Sequence, residues 1–186
     1  MRLFTGIAIA DRVVAHLEQA LAPLRSAAPI KWSPAANFHI TTKFIGAWPD
    51  ARLSELTDAL AAIDPPGPFE IAVARFGFVP NPHRPRVLLA GVQAGPGLAE
   101  LVRKIEDALE PLGSAREQRA YTPHVTLARI ANEDIRSLRE HIASMTNFDF
   151  GSFEATDFHL YLSRPERGGS VYSSLAAFPL TKSVPA

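Results

Sequence analysis

Two segments of this chain, Phe38-His39-Ile40-Thr41-Thr42-Lys43-Phe44-Ile45 and Pro123-His124-Val125-Thr126-Leu127-Ala128-Arg129-Ile130, share a His-apolar-Thr pattern, and a shift of 85 residues superposes them. The same shift carries Gly6 to Gly91 and Pro80 to Pro165. Around each segment the apolar periodicity predicts the same order of elements, the mark of an internal repeat. In the first unit, a buried strand over Leu3 to Ile9 precedes Asp11 at an N-cap position and then Val13, Leu17, Leu21 and Leu24 at helical spacing. A strand over Phe38 to Ile45 follows, then a helix through Leu53, Leu56, Leu60 and Ile63, and a strand from Phe69 toward Pro80. The second unit runs strand Val87 to Val92, helix Leu98 to Leu109, strand His124 to Ile130, helix Ile135 to Met145 and strand Phe158 to Leu162. A last strand, Val171 to Phe178, closes the chain. At 186 residues the whole is one domain of two lobes, 1–186, with repeat units of about 1–85 and 86–180.

Composition narrows the classes of function. With 19 basic and 19 acidic side chains the net charge is zero, which argues against a protein that grips long nucleic acid through many phosphates. Cysteine is absent, so disulfides, thiolate metal sites and cysteine nucleophiles are excluded, and a reducing compartment fits. The apolar start, Leu3 to Ala10, is too short for a membrane span and lacks a signal-peptide pattern; no membrane partner is expected. The 16 prolines fall as punctuation between elements and mark loops, not a linker.

Side chains alternate along a strand, so each motif presents an imidazole and a hydroxyl on one face while Ile40 or Val125 points into the core. Two lobes meeting across an approximate twofold place two imidazoles and two hydroxyls in one cleft. In-line displacement at phosphorus needs this equipment: one group takes a proton from the attacking hydroxyl while another protonates the departing oxygen on the opposite side. Thr41 and Thr126 are suited to donate to the non-bridging oxygens, aided by a cation. Lys43 shares the face of His39 in a regular strand; Arg129 lies on the opposite face from His124 and reaches the cleft only if a bulge or the strand end turns it. Pseudo-symmetry leaves the acid and base roles of the two histidines interchangeable.

With the opening Met1-Arg2-Leu3-Phe4, the strand entry Arg84-Pro85-Arg86-Val87, and the closing stretches Gly169-Ser170-Val171-Tyr172 and Phe178-Pro179-Leu180, the paired motifs resemble the 2H phosphoesterase superfamily, and within it the LigT/ThpR branch of RNA 2′,3′-cyclic phosphodiesterases. The resemblance implies an α+β fold of two pseudo-symmetric lobes, antiparallel sheets flanked by helices, with a central cleft. It implies no cofactor, and hydrolysis of a 2′,3′-cyclic phosphate to a 2′-phosphate, with His39 as proton donor and His124 as proton acceptor that activates water. Thr42 stands where the branch has a larger apolar residue and is expected to face away from the cleft. Expected partners are RNA ends or small cyclic nucleotides, for a cytoplasmic monomer. The same residues would also support 2′,5′ RNA ligation, and a non-catalytic RNA-end binding module is the reading from another class.

The remaining signals are weaker. His16, His83, His141 and His159 show no metal-ligand spacing, and no metal is expected. Gly91, Gly95 and Gly97 lack the endings of a phosphate loop and read as a strand-to-helix turn. Arg164 to Gly169 reads as a basic loop, either solvated or closing over an anionic substrate. Trp32, Phe44, Phe76 and Tyr121 are either core or, at the cleft rim, a surface on which a base stacks.

Overall fold

The first strand, β1 (Arg2–Ala8), is buried from Leu3 to Ile7, as its apolar run predicts, and it lies between two other strands. In this computed structural model, which describes residues 1–81, 83–167 and 169–181, the chain continues as α1 (Asp11–Arg25), β2 (Lys31–Trp32), β3 (His39–Ala47), α2 (Leu53–Ala61), β4 (Phe69–Val79) and β5 (Val87–Ala94). Then come α3 (Pro96–Leu109), β6 (His124–Arg129), α4 (Arg136–Ser144), β7 (Asp149–Ala155), β8 (Asp157–Glu166) and β9 (Gly169–Pro179). Strand pairing is antiparallel throughout, in the order β7-β4-β5-β6-β3-β1-β8-β9, with β2 added to β6. The class is the α+β arrangement of antiparallel strands and helices that the sequence led us to expect.

The sheet joins its two halves at a narrow seam. Strands β3 and β6 are in register at a single pair, Ile40 with Val125, and both side chains are fully buried. Outward from the seam, one half reads β6, β5, β4, β7 and the other β3, β1, β8, β9. The third strand of each half comes from the other sequence unit: β4 lies beside β5, and β8 beside β1. The helices cross over in the same way, since α1 packs on β7 and α4 while α3 packs on β3 and α2. Apolar spacing explains the contact faces, Val13, Leu17, Leu21 and Leu24 on α1, and Leu98, Leu101, Ile105 and Leu109 on α3. Each fully buried leucine contributes about 1.5–3 kcal/mol of transfer free energy.

Four local features differ from the sequence reading. Asp11 is the first helical residue of α1 and not its cap; Ala10 holds the cap position without a side-chain bond. Two strands, β2 and β7, went unpredicted. In β7 a bulge at Gly151, with φ +102°, breaks the alternation, so that Phe150, Phe153 and Ala155 are the buried residues. The Arg164 to Gly169 segment is a strand hairpin, not a loop: Arg164 pairs with Val171, Pro165 with Ser170 and Glu166 with Gly169, while Gly168 lies outside the described residues. No helix among the described residues is long and apolar enough to cross a membrane.

Candidate active site

The seam sets the geometry of the site. Because Ile40 opposes Val125, His39 falls opposite Thr126 and Thr41 opposite His124, with all four on the face away from the buried pair. The two histidines occupy one diagonal of this rectangle and the two threonines the other; diagonal neighbours on a sheet face lie about 7–8 Å apart, with their Cβ atoms somewhat closer. The motifs thus meet side by side on neighbouring strands, where the sequence reading had placed them on two lobes facing one another.

Each ring is held by the carbonyl two residues before it. His39 Nδ1 donates to Asn37 O at 2.7 Å and His124 Nδ1 to Thr122 O at 2.9 Å. A carbonyl only accepts, so Nδ1 carries hydrogen in both rings and each Nε2 is left for chemistry. His39 Nε2 lies 3.0 Å from Thr41 Oγ1. An aromatic wall formed by Phe4, Tyr172 and Tyr161 surrounds His39, with ring centroids 4.7, 5.1 and 6.1 Å away. The resulting burial pushes the His39 pKa below its ordinary value; the Asn37 carbonyl opposes this, and the charges of His124 and Arg129 add to the lowering. Gly6 permits the close packing, since a Cβ there would come 2.8 Å from Ile40 O and 3.4 Å from the His39 ring.

A pair of matching bulges decides which cation reaches this face. In β3, Thr5 pairs with Lys43 and Gly6 with Thr41, so Thr42 is extra; in β6, Leu88 pairs with Ala128 and Leu89 with Thr126, so Leu127 is extra. Each bulge turns two successive residues inward and the next one outward. Lys43 is therefore buried on the helix side, its Nζ 2.6 Å from Glu106 Oε2 and 2.8 Å from Ala115 O. This corrects its assignment as a phosphate ligand. Arg129, by the same device, stands on the histidine face and lines a cavity of about 310 Å³ with His39, Thr41, Thr126, Phe4 and Phe44. His124 is not part of that lining but occupies the fourth corner, close enough for its charge to bear on His39. Thr42 faces away from the cleft, as expected, and donates to Thr5 Oγ1 at 2.7 Å.

The structure sorts the other candidates. Phe44, the repeat counterpart of Arg129, is 73% exposed at the cleft rim, whereas Phe76 packs against Phe150 and Phe148. Tyr121 donates its hydroxyl to Thr41 O at 2.9 Å, tying the segment before His124 to the first motif. Sequence reading missed Phe4, Tyr161, Tyr172 and Asn37. The amide of Asn37 donates to Ser170 O at 2.6 Å and anchors the β8–β9 hairpin beside His39. Among the described residues, no group of three or more His, Asp or Glu side chains is placed to hold a metal ion.

Two imidazoles presenting Nε2, two hydroxyls and one arginine share a single sheet face, an arrangement chemically able to hold an anionic group such as a phosphoester and to exchange protons with it. The family model described as LigT like phosphoesterase matches the chain twice, over residues 7–89 and 91–172. An RNA 2′,3′-cyclic phosphodiesterase of Aeropyrum pernix is 34% identical over 149 residues, 79% of this chain and 84% of that protein. One of Methanocaldococcus jannaschii is 31% identical over 173 residues, 92% and 96% of the two chains. Among solved structures, a Thermus thermophilus protein superposes with a TM-score of 0.80 at 25% identity, covering 97% of this chain and 98% of that one. Escherichia coli LigT in complex with 3′-AMP superposes with a TM-score of 0.77 at 25% identity and the same coverage, 97% and 98%. The chain belongs to the LigT-like phosphoesterase family.

Proposed function

We propose that the chain is an RNA 2′,3′-cyclic phosphodiesterase that opens a 2′,3′-cyclic phosphate at RNA ends or on nucleotides to a 2′-phosphate, without metal or cofactor, as a cytoplasmic monomer. The observation that carries the reading is the Ile40–Val125 register, which sets two Nε2-presenting imidazoles on one diagonal and two hydroxyls on the other. An in-line reaction wants its base and acid on opposite sides of phosphorus, and a diagonal supplies that separation. The relatives' name, the 3′-AMP held by Escherichia coli LigT and the two family matches, one over each repeat unit, support the same reading.

In the reaction, His124 Nε2 takes a proton from water as the water oxygen bonds to phosphorus. The P–O3′ bond breaks, and His39 Nε2–H delivers its proton to the departing O3′, leaving a 3′-hydroxyl and a 2′-phosphate. Thr41 and Thr126 donate to the non-bridging oxygens and Arg129 balances their charge. Free His39 is biased toward the neutral form. An anionic phosphate beside it favours the protonated ring, so the acid is charged as substrate binds.

The test is turnover of a nucleoside 2′,3′-cyclic phosphate with EDTA present, with the product identified by phosphorus NMR. A 2′-phosphate formed at an undiminished rate is the expected outcome. Loss of turnover restored by Mg²⁺, Mn²⁺ or Zn²⁺, or a 3′-phosphate product, overturns the mechanism.

A further inference from the structure

We infer that Lys31 and Arg129 form a second phosphate subsite that takes the 5′-phosphate of the terminal nucleotide, so that the favoured substrate is an RNA chain ending in a cyclic phosphate and not an isolated nucleoside cyclic phosphate. The inference rests on the reaction proposed above and specifies its substrate.

Strand β2 exists only as a two-residue addition to β6, and its register sets Lys31 directly opposite Arg129. Cross-strand partners share a face with Cβ atoms about 4.5–5.5 Å apart, and like charges placed so repel. Neither cation has a carboxylate partner within ion-pair distance among the described residues. An exposed pair of this kind is relieved by an anion that both can contact.

A second cavity, of about 290 Å³, is built around the pair and lined by Trp32 and by one carboxylate, Glu166, against the two cations. It shares Ser33, Asn37, Arg129, Ser170 and Tyr172 with the reaction cavity. The two spaces therefore adjoin, with Arg129, three residues beyond Thr126 on the same strand, on the wall of both. A nucleotide whose cyclic phosphate sits among the histidines and threonines can direct its 5′ side along β6 toward Lys31. There the next phosphate meets two cations. Net charge zero is consistent with recognition of one or two phosphates at a chain end rather than of a long strand.

The experiment compares kcat/KM for three substrates: a nucleoside 2′,3′-cyclic phosphate, the same molecule carrying a 5′-phosphate, and a dinucleotide ending in the cyclic phosphate. A charge-assisted contact predicts that the dinucleotide exceeds the bare nucleoside by about 10- to 100-fold. The 5′-phosphorylated nucleoside separates recognition of the phosphate from recognition of the preceding base. Lys31→Ala should reduce the dinucleotide-to-nucleoside ratio about tenfold, and Lys31→Arg should restore it. The salt dependence of the dinucleotide reaction should be steeper than that of the nucleoside by about 0.7 in log–log slope, and Lys31→Ala should remove the difference. A wild-type ratio near one, or a ratio unmoved by Lys31→Ala, overturns the subsite while the reaction stands. If none of the three substrates turns over, the reaction itself is wrong and the subsite falls with it.

Discussion

Removing Lys43 separates the role the structure gives it from the role its position in the motif suggests. Its side chain is 2% exposed and that of Glu106 is 11% exposed, with 2.6 Å between Nζ and Oε2. Lys43→Met leaves the carboxylate buried without its partner, which costs about 3–5 kcal/mol. For a domain whose whole stability is about 5–15 kcal/mol, that is a large fraction. Glu106→Leu added to Lys43→Met removes the orphaned charge, and replacing a buried pair by apolar residues is neutral or stabilising by about 1–4 kcal/mol. Against this stand two hydrogen bonds that the pair makes possible, Lys43 to Ala115 O at 2.8 Å and Glu117 N to Glu106 Oε1 at 3.4 Å, about 1 kcal/mol each. The double variant should therefore lie within about 2 kcal/mol of wild type. Urea denaturation of the four proteins of the cycle measures the coupling. Turnover of a cyclic phosphate by the double variant should stay within about tenfold of wild type, because no group that meets phosphate has been removed. If the double variant is as unstable as the single one, the desolvation argument is wrong; if it is stable yet loses three decades of kcat, Lys43 acts on phosphate after all.

Further expectations concern the site itself. His39→Ala and His124→Ala should each lower turnover by about two to four decades, and together by less than the product of the two, which steady-state kinetics of the three variants reads directly. Arg129→Met should lower kcat/KM about 10- to 100-fold and raise the His39 pKa, since the arginine charge helps to lower it; an NMR titration that finds the His39 pKa unmoved contradicts the placement. Gly6→Ala should destabilise by about 1–3 kcal/mol and lower kcat, because the added Cβ, 2.8 Å from Ile40 O, forces the strand carrying His39 to shift. Because the folded pKa of His39 lies below 6.5, the unfolded chain takes up this proton first as pH falls. The stabilisation is thus fully present above 6.5 and is lost as pH falls through the lowered value; a set of denaturation curves should show that slope in wild type and not in His39→Gln.

What the sequence made legible follows from local rules. His-x-Thr on a strand places two side chains on one face whatever the rest of the chain does, so the four candidate groups of the site were readable, as were helices with unbroken apolar spacing such as α1 and α3. The bulges were not, because a bulge arises from the fit of one strand to its neighbour. One signal was present: Leu127-Ala128 is an adjacent apolar pair between Thr126 and Arg129, which strict alternation cannot accommodate on a half-buried strand. Carried through the repeat, it would have moved Lys43 inward as well. Gly151 hid β7 for a related reason, since its bulge spaces the buried residues three and then two apart. The exchange of β4 and β8 between the halves is a long-range choice with no local signature.

The repeat raises a question that its own symmetry cannot answer, namely which imidazole gives a proton and which takes one. In the proposed reaction the assignment rests on the positions where the two units differ. Arg129 extends β6 beyond Thr126, at the His39 end of the rectangle, while its counterpart Phe44 extends β3 beyond Thr41, at the His124 end. Positive charge therefore gathers at one end of the site and an exposed ring at the other. The aromatic wall is equally one-sided, closing on His39 through Phe4, Tyr161 and Tyr172. Burial, with the charges of His124 and Arg129 adding to it, biases His39 toward the neutral form, and a bound phosphate offsets this by supplying an anion at that end. In the proposed reaction the departing oxygen then meets an acid that substrate binding itself creates. In that reaction water comes to phosphorus from the opposite corner, where no aromatic ring among the described residues packs on His124. In the proposed reaction, two copies of one motif thus act as an acid and a base through differences at matched positions, Arg129 against Phe44 foremost, and through the rings packed on one side.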